Sequence, residues 1–132
     1  MSKFINRYKT DRKLEEEGQW VEFGDDISVK VARLNSERSQ AVRRKLEKPY
    51  SKIRGSIPED IAEEILTKQV AEAVLLDWKG VTDENGKEIE CTYENRYKML
   101  KEFKDFRFDV VTCSVEAETF KGKQIEEVTK NS

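Results

Sequence analysis

Two acidic pairs, Asp25-Asp26 and Asp83-Glu84, two thiols, Cys91 and Cys113, and a cationic run from Arg38 to Arg54 are the groups in this 132-residue chain whose types could do chemistry. Paired carboxylates can share acid–base work or hold a metal. Both pairs sit beside glycine in turn-forming sequence, where Asp and Glu serve local hydrogen bonding and solvation. The second stretch, Asp83-Glu84-Asn85-Gly86-Lys87-Glu88, lacks the spaced ligands and closing bidentate Glu of a calcium loop. No GxGxxG or P-loop is present. The chain has no histidine, which removes imidazole general-base chemistry and most zinc sites. The cysteines form no CxxC pair and read as ordinary reduced thiols of a cytoplasmic protein. The expectation is a non-enzymatic protein with no catalytic, cofactor-binding or metal residues.

Binding is the chemistry left. Between Ser36 and Arg54 seven cations face two carboxylates, a local net of +5 that could meet phosphates. The chain as a whole is slightly acidic, with a net charge of −2 and a pI near 5.5, so a solvated or protein-binding face ranks above a nucleic-acid one. The aromatics suggest a partner surface more directly. Trp78 follows the apolar run Ala73-Val74-Leu75-Leu76, and Phe103, Phe106, Phe108 and Phe120 cluster later. Charged residues make up 39% of the chain and apolar ones 36%, with a mean hydropathy of −0.82. A core that thin does not easily cover every aromatic, so Leu75, Leu76, Trp78, Phe103, Phe106, Phe108 and Phe120 form the candidate partner or self-association surface.

The elements that would position these groups follow from length and periodicity. The length fits one domain with one modest core. The run of four aliphatics is far short of the roughly 20 residues that span a bilayer, and Met1 to Thr10 carry no apolar segment of a secretory signal. Residues 1–18 read as an N-terminal arm, basic at first, in which Phe4, Ile5 and Tyr8 would let one turn dock. Alternation around Gly24-Asp25-Asp26 predicts a β-hairpin over roughly 19–34. Asn35 and Ser36 would cap a basic helix running to Lys48. Ser56-Ile57-Pro58-Glu59 matches a capping box, opening an apolar helix that continues through Leu75, Leu76 and Trp78. That helix carries a net of −5 and would pack beside the basic one. Asn85-Gly86 predicts a short turn-linked strand pair near 81–91, Thr92 would cap another helix, and 105–120 fits a last one. The expected fold class is α+β, a hairpin followed by a bundle of three to four helices, with a domain at 19–120 and a flexible tail at 121–132.

The order of features also carries a resemblance. Glu17-Gly18-Gln19-Trp20-Val21-Glu22-Phe23 leading into Ile27 to Asn35, Val74-Leu75-Leu76-Asp77-Trp78-Lys79-Gly80-Val81, the Asp83 to Ile89 turn, Thr92-Tyr93-Glu94-Asn95, and the ending Glu126 to Ser132 resemble the tail assembly chaperones of long-tailed bacteriophages. The similarity covers roughly residues 15–132 and is densest over 74–95. It implies a protein that binds the tape measure protein, keeps it soluble in the host cytoplasm during tail assembly, and is absent from the mature virion. It further implies self-association, and recruitment of the tail tube protein by a longer form made through a programmed frameshift; a chain ending near Lys130-Asn131 fits the short form. Membrane is not among the expected partners. The rivals are a virion structural protein, such as a head–tail connector or tail terminator, and a small nucleic-acid-binding regulator using residues 38–54.

Overall fold

Pairing begins where the alternation is cleanest. In the computed structural model, which describes residues 2–122, Gln19–Gly24 and Ile27–Val31 are antiparallel strands β1 and β2. Asp25 and Asp26 between them take φ of 52° and 62°. Two left-handed residues match the twist of the flanking strands in a tight hairpin turn, and short polar Asp tolerates that conformation better than bulkier residues.

The strands do not stand as a hairpin beside a helical bundle, which is the architecture expected above. Leu75–Lys79 is a third strand, β3, antiparallel to β2, and the sheet order is β1-β2-β3. The helix expected to run from residue 56 through Trp78 is α4 (Glu59–Gln69), which widens into a π-helical turn, Val70–Val74, and then straightens. A short continuous apolar run does not distinguish a buried helix from a buried strand. The open edge of β2 decides the matter, because an isolated hairpin is marginal and its edge N–H and C=O groups need partners. The fold is therefore mixed, with helices packed on a three-stranded sheet.

Register then sorts the side chains. Val21, Val29 and Trp78 stand in one row across the sheet. Opposite Lys30 and Val31, β3 spends Asp77 and Leu75, leaving Leu76 as the extra residue of a bulge. The bulge lets both Leu75 and Trp78 face the core, which a regular two-residue alternation forbids. Trp20, Lys30, Asp77 and Lys79 form the opposite, solvated face, where the Lys79 ammonium lies 4.6 Å from the Trp20 ring centroid.

The helices cover the inner face. α3 (Glu37–Glu47) starts at Ser36, whose hydroxyl accepts from the Ser39 N–H at 3.3 Å. The capping box at Ser56 does not form, and α4 starts from Pro58 without a side-chain cap. Proline disfavours helical geometry in the residue before it, so Ile57 cannot be the first helical residue and the start moves past Ser56. α5 (Tyr93–Glu102) is capped by Thr92, which accepts from Asn95 N–H at 3.1 Å. α6 spans Lys104–Val115, and the expected single helix over 105–120 breaks at Glu116 into a 3₁₀ turn, Ala117–Phe120. That turn drops the Phe120 ring into the core beside Leu100, Val110, Val31 and Val74. The strand pair expected near 81–91 is one bridge, Thr82 to Glu88.

Carbonyls released where α4 ends are taken by guanidinium groups. Arg96 Nε donates to Ala71 O at 2.8 Å, and Arg38 donates to Glu72 O at 3.3 Å. Ahead of the sheet lie α1 (Lys3–Tyr8) and α2 (Arg12–Glu17). α2 is fastened: Asp11 N–H donates to Phe120 O at 2.8 Å, and the Arg33 guanidinium meets the Glu15 carboxylate at 2.6 Å. α1 buries no residue. The tail expected at 121–132 lies, past Gly122, outside the described residues.

Candidate interaction surface

Burial divides the seven sequence-predicted surface residues into two sets. Leu75, Trp78 and Phe120 are core, and Leu76 is half-buried at the bulge. The Trp78 indole N–H donates to Ile89 O at 2.8 Å, pinning the 81–91 loop to the sheet. The Asp-Trp-x-Gly-Val stretch thus serves the fold, with its Trp facing inward. Phe106 is half-buried, edge-on to Phe23 with ring centroids 6.3 Å apart.

Phe103 and Phe108 remain outside, with 52% and 69% of their surface exposed. Val115, half exposed, extends the line, and sequence patterning missed it because the 105–120 stripe was read through Phe106, Val110 and Cys113. Phe108, Val111 and Val115 sit at i, i+3 and i+7 on α6 and form one ridge. Along its flank stand Asp105, Asp109 and Glu116, all exposed and without an ion pair among the described residues. The N-terminal arm is the second apolar feature. Phe4, Ile5 and Tyr8 are 68%, 51% and 57% exposed, and the rings of Phe4 and Tyr8 lie 4.8 Å apart.

The charge blocks separate differently from the side-by-side neutralisation expected of α3 and α4. These helices pack together, yet no ion pair joins them among the described residues. Glu63 instead meets Arg107 on α6 at 2.6 Å, and Glu64 takes Lys101 at 3.6 Å and the Tyr97 hydroxyl on α5. Both carboxylates leave α4 on the side facing α5 and α6, and this leaves the basic block of α3 and the following loop open. Beside it a cleft of about 310 Å³ is lined by Arg33, Arg43, Arg44, Asn35, Gln40 and Gln69, among others. Gln69 is buried at its edge and donates to Ser39 O and Oγ at 3.2 and 2.9 Å.

The thiols are held in their neutral form. Burial pushes Cys113 up to about 12, with the Glu116 charge adding to it, and burial also raises Cys91 despite the opposing hydrogen bond from Arg96. A neutral thiol is a poor nucleophile and a poor metal ligand. Among the described residues no group of three or more Cys, Asp or Glu is arranged to hold a metal ion, and no helix is long and apolar enough to cross a membrane.

Sheet, helices and outward aromatic ridge define a small mixed α and β protein whose accessible features are surfaces for contact. A family model places it further. The chain belongs to the YdaY prophage protein family, whose model matches residues 34–131, from the exit of β2 onward. Phage descent is thereby established; the match does not place the chain among the tail assembly chaperones that the sequence resembles. No curated protein and no solved structure matches the chain.

Proposed function

We propose that this protein is a non-enzymatic phage assembly chaperone of the tail type, which covers the tape measure protein in the host cytoplasm until tail assembly begins. The observation that carries this reading is that Phe103, Phe108 and Val115 stand exposed at and along α6 on a chain of which 39% is charged. Exposed aromatics of this kind supply contact area for an apolar helical client, and the charged remainder keeps the complex dispersed. Many copies along one long client add avidity, so each contact can be weak. Recruitment of tail tube protein would fall to a longer, frameshifted form.

Co-expression with the tape measure protein of the same prophage tests the reading. The wild-type chain is expected to keep the client soluble and to co-purify with it. Phe103→Ser with Phe108→Ser should abolish both effects while leaving the circular dichroism spectrum unchanged. Co-purification that survives the double substitution removes the surface assignment, and a client equally soluble without the protein removes the function.

Arg44, Lys45 and Lys48, which have no ion pair among the described residues, favour one second reading, a nucleic-acid-binding regulator. Binding of duplex DNA that weakens steeply with salt, and that Arg44→Ala with Lys48→Ala reduces, would replace the chaperone reading.

A further inference from the structure

We infer that the N-terminal arm is a docking element for a second copy of this chain, whose α6 ridge receives it, and that two copies exchange arms reciprocally. The arm is a six-residue helix, Lys3–Tyr8, capped by Ser2 and burying none of its residues. So short a helix is not stable on its own in water. Half of its residues, Phe4, Ile5 and Tyr8, are apolar or aromatic side chains left in solvent. At 100° per residue they share one face, and Lys3, Arg7 and Lys9 flank it.

The α6 ridge is the complement in apolar character and in charge. It offers an apolar line, Phe108 to Val115, along a flank of Asp105, Asp109 and Glu116. Neither the arm cations nor these carboxylates have an ion-pair partner among the described residues. An arm with a basic rim laid on a ridge with an acidic rim pairs apolar with apolar and cation with carboxylate at once.

Area argues for reciprocity. Three side chains of this size bury on the order of 400 Å² from the arm, and the ridge a similar amount. One such contact totals about 800 Å², in the range of crystal packing, whereas two exchanged arms reach about 1,600 Å², the size of a stable interface. In its own chain every residue of α1 is exposed, so the apolar face of the arm is left uncovered there and is open to a second copy. Exchange would also shield the ridge that the chaperone reading assigns to the client; that consequence rests on the reading, whereas the docking does not.

Sedimentation velocity and light scattering on the full chain, without any client, test the exchange. A dimer is expected at micromolar concentration, weakening as salt rises. Lys3→Glu with Arg7→Glu should weaken it about tenfold or more, as should Asp105→Lys with Asp109→Lys. All four substitutions in one chain should restore it, because the reversed charges meet again across the interface. Phe4→Ser with Tyr8→Ser should leave a folded monomer. A wild-type monomer, including one with its arm folded onto its own α6, overturns the proposal. So does a dimer indifferent to these substitutions, or one that the four together fail to restore. These measurements are made without client, so they read the exchange independently of the co-expression experiment.

Discussion

Trp78 and Phe108 both belong to the predicted partner surface, and replacing each should give opposite results. Trp78 is 4% exposed, stands in the row of Val21 and Val29, and holds the Ile89 carbonyl at 2.8 Å through its indole N–H. Trp78→Phe keeps most of the apolar contact but deletes the donor. The half-buried Ile89 carbonyl can then reach water, so the loss should be about 1–2 kcal/mol. Trp78→Ala adds a cavity beneath the sheet and should cost about 3–5 kcal/mol. A chain of this length is expected to have on the order of 7–20 kcal/mol of stability in all. The alanine variant should therefore melt roughly 10–20 °C lower. Phe108, 69% exposed, has little packing to lose, and Phe108→Ser should stay within about 0.5 kcal/mol of wild type. Urea titrations and thermal melts followed by far-UV circular dichroism read both. A Trp78→Ala variant as stable as wild type, or a Phe108→Ser variant destabilised as much as Trp78→Ala, would refute the division into core and surface.

Two further outcomes follow from backbone and burial. Gly80 has φ of +80°, and a Cβ there would stand 2.1 Å from Asp26 O at the tip of the hairpin, whereas one at Gly86 (φ +79°) meets nothing within 4 Å. Gly80→Ala should cost about 3 kcal/mol or more and Gly86→Ala about 1 kcal/mol, measured by urea unfolding; equal losses would remove the contact between the end of β3 and the turn. Cys113 is raised by burial to about 12, above the 9.0 of a free thiol. The unfolded chain therefore releases this proton first. The thiol's contribution is complete below pH 9 and declines as pH rises from 9 towards 12, so Cys113→Ala should flatten the alkaline limb of a stability–pH curve. A thiol reagent should likewise label Cys113 in the native protein only at the rate of unfolding, and rapid labelling at pH 8 would contradict its burial.

How much of this was legible in the sequence depends on the range of the interactions involved. The Gly24-Asp25-Asp26 turn, the Ser36 and Thr92 caps and the helical periods of α3 and α5 are fixed within a few residues, so local pattern suffices for them. The absence of histidine and the alternating charge blocks are likewise properties of composition. The strand at Leu75–Lys79 is different. Its residues continue the apolar surface of α4, and only the unpaired edge of β2, some 45 residues earlier in the chain, turns them into a ladder. The same long-range choice decides the site. Seven candidate surface residues could not be divided from their identities alone, since an aromatic at helical spacing fits either a core or an interface. The Leu76 bulge turns Leu75 and Trp78 inward, and the 3₁₀ turn after Glu116 buries Phe120. What the sequence alone determined is a charged, histidine-free chain with more aromatic side chains than a thin core easily covers. Which aromatics face outward was decided by the tertiary structure, because side-chain direction depends on strand register and helix ends set by partners distant in sequence.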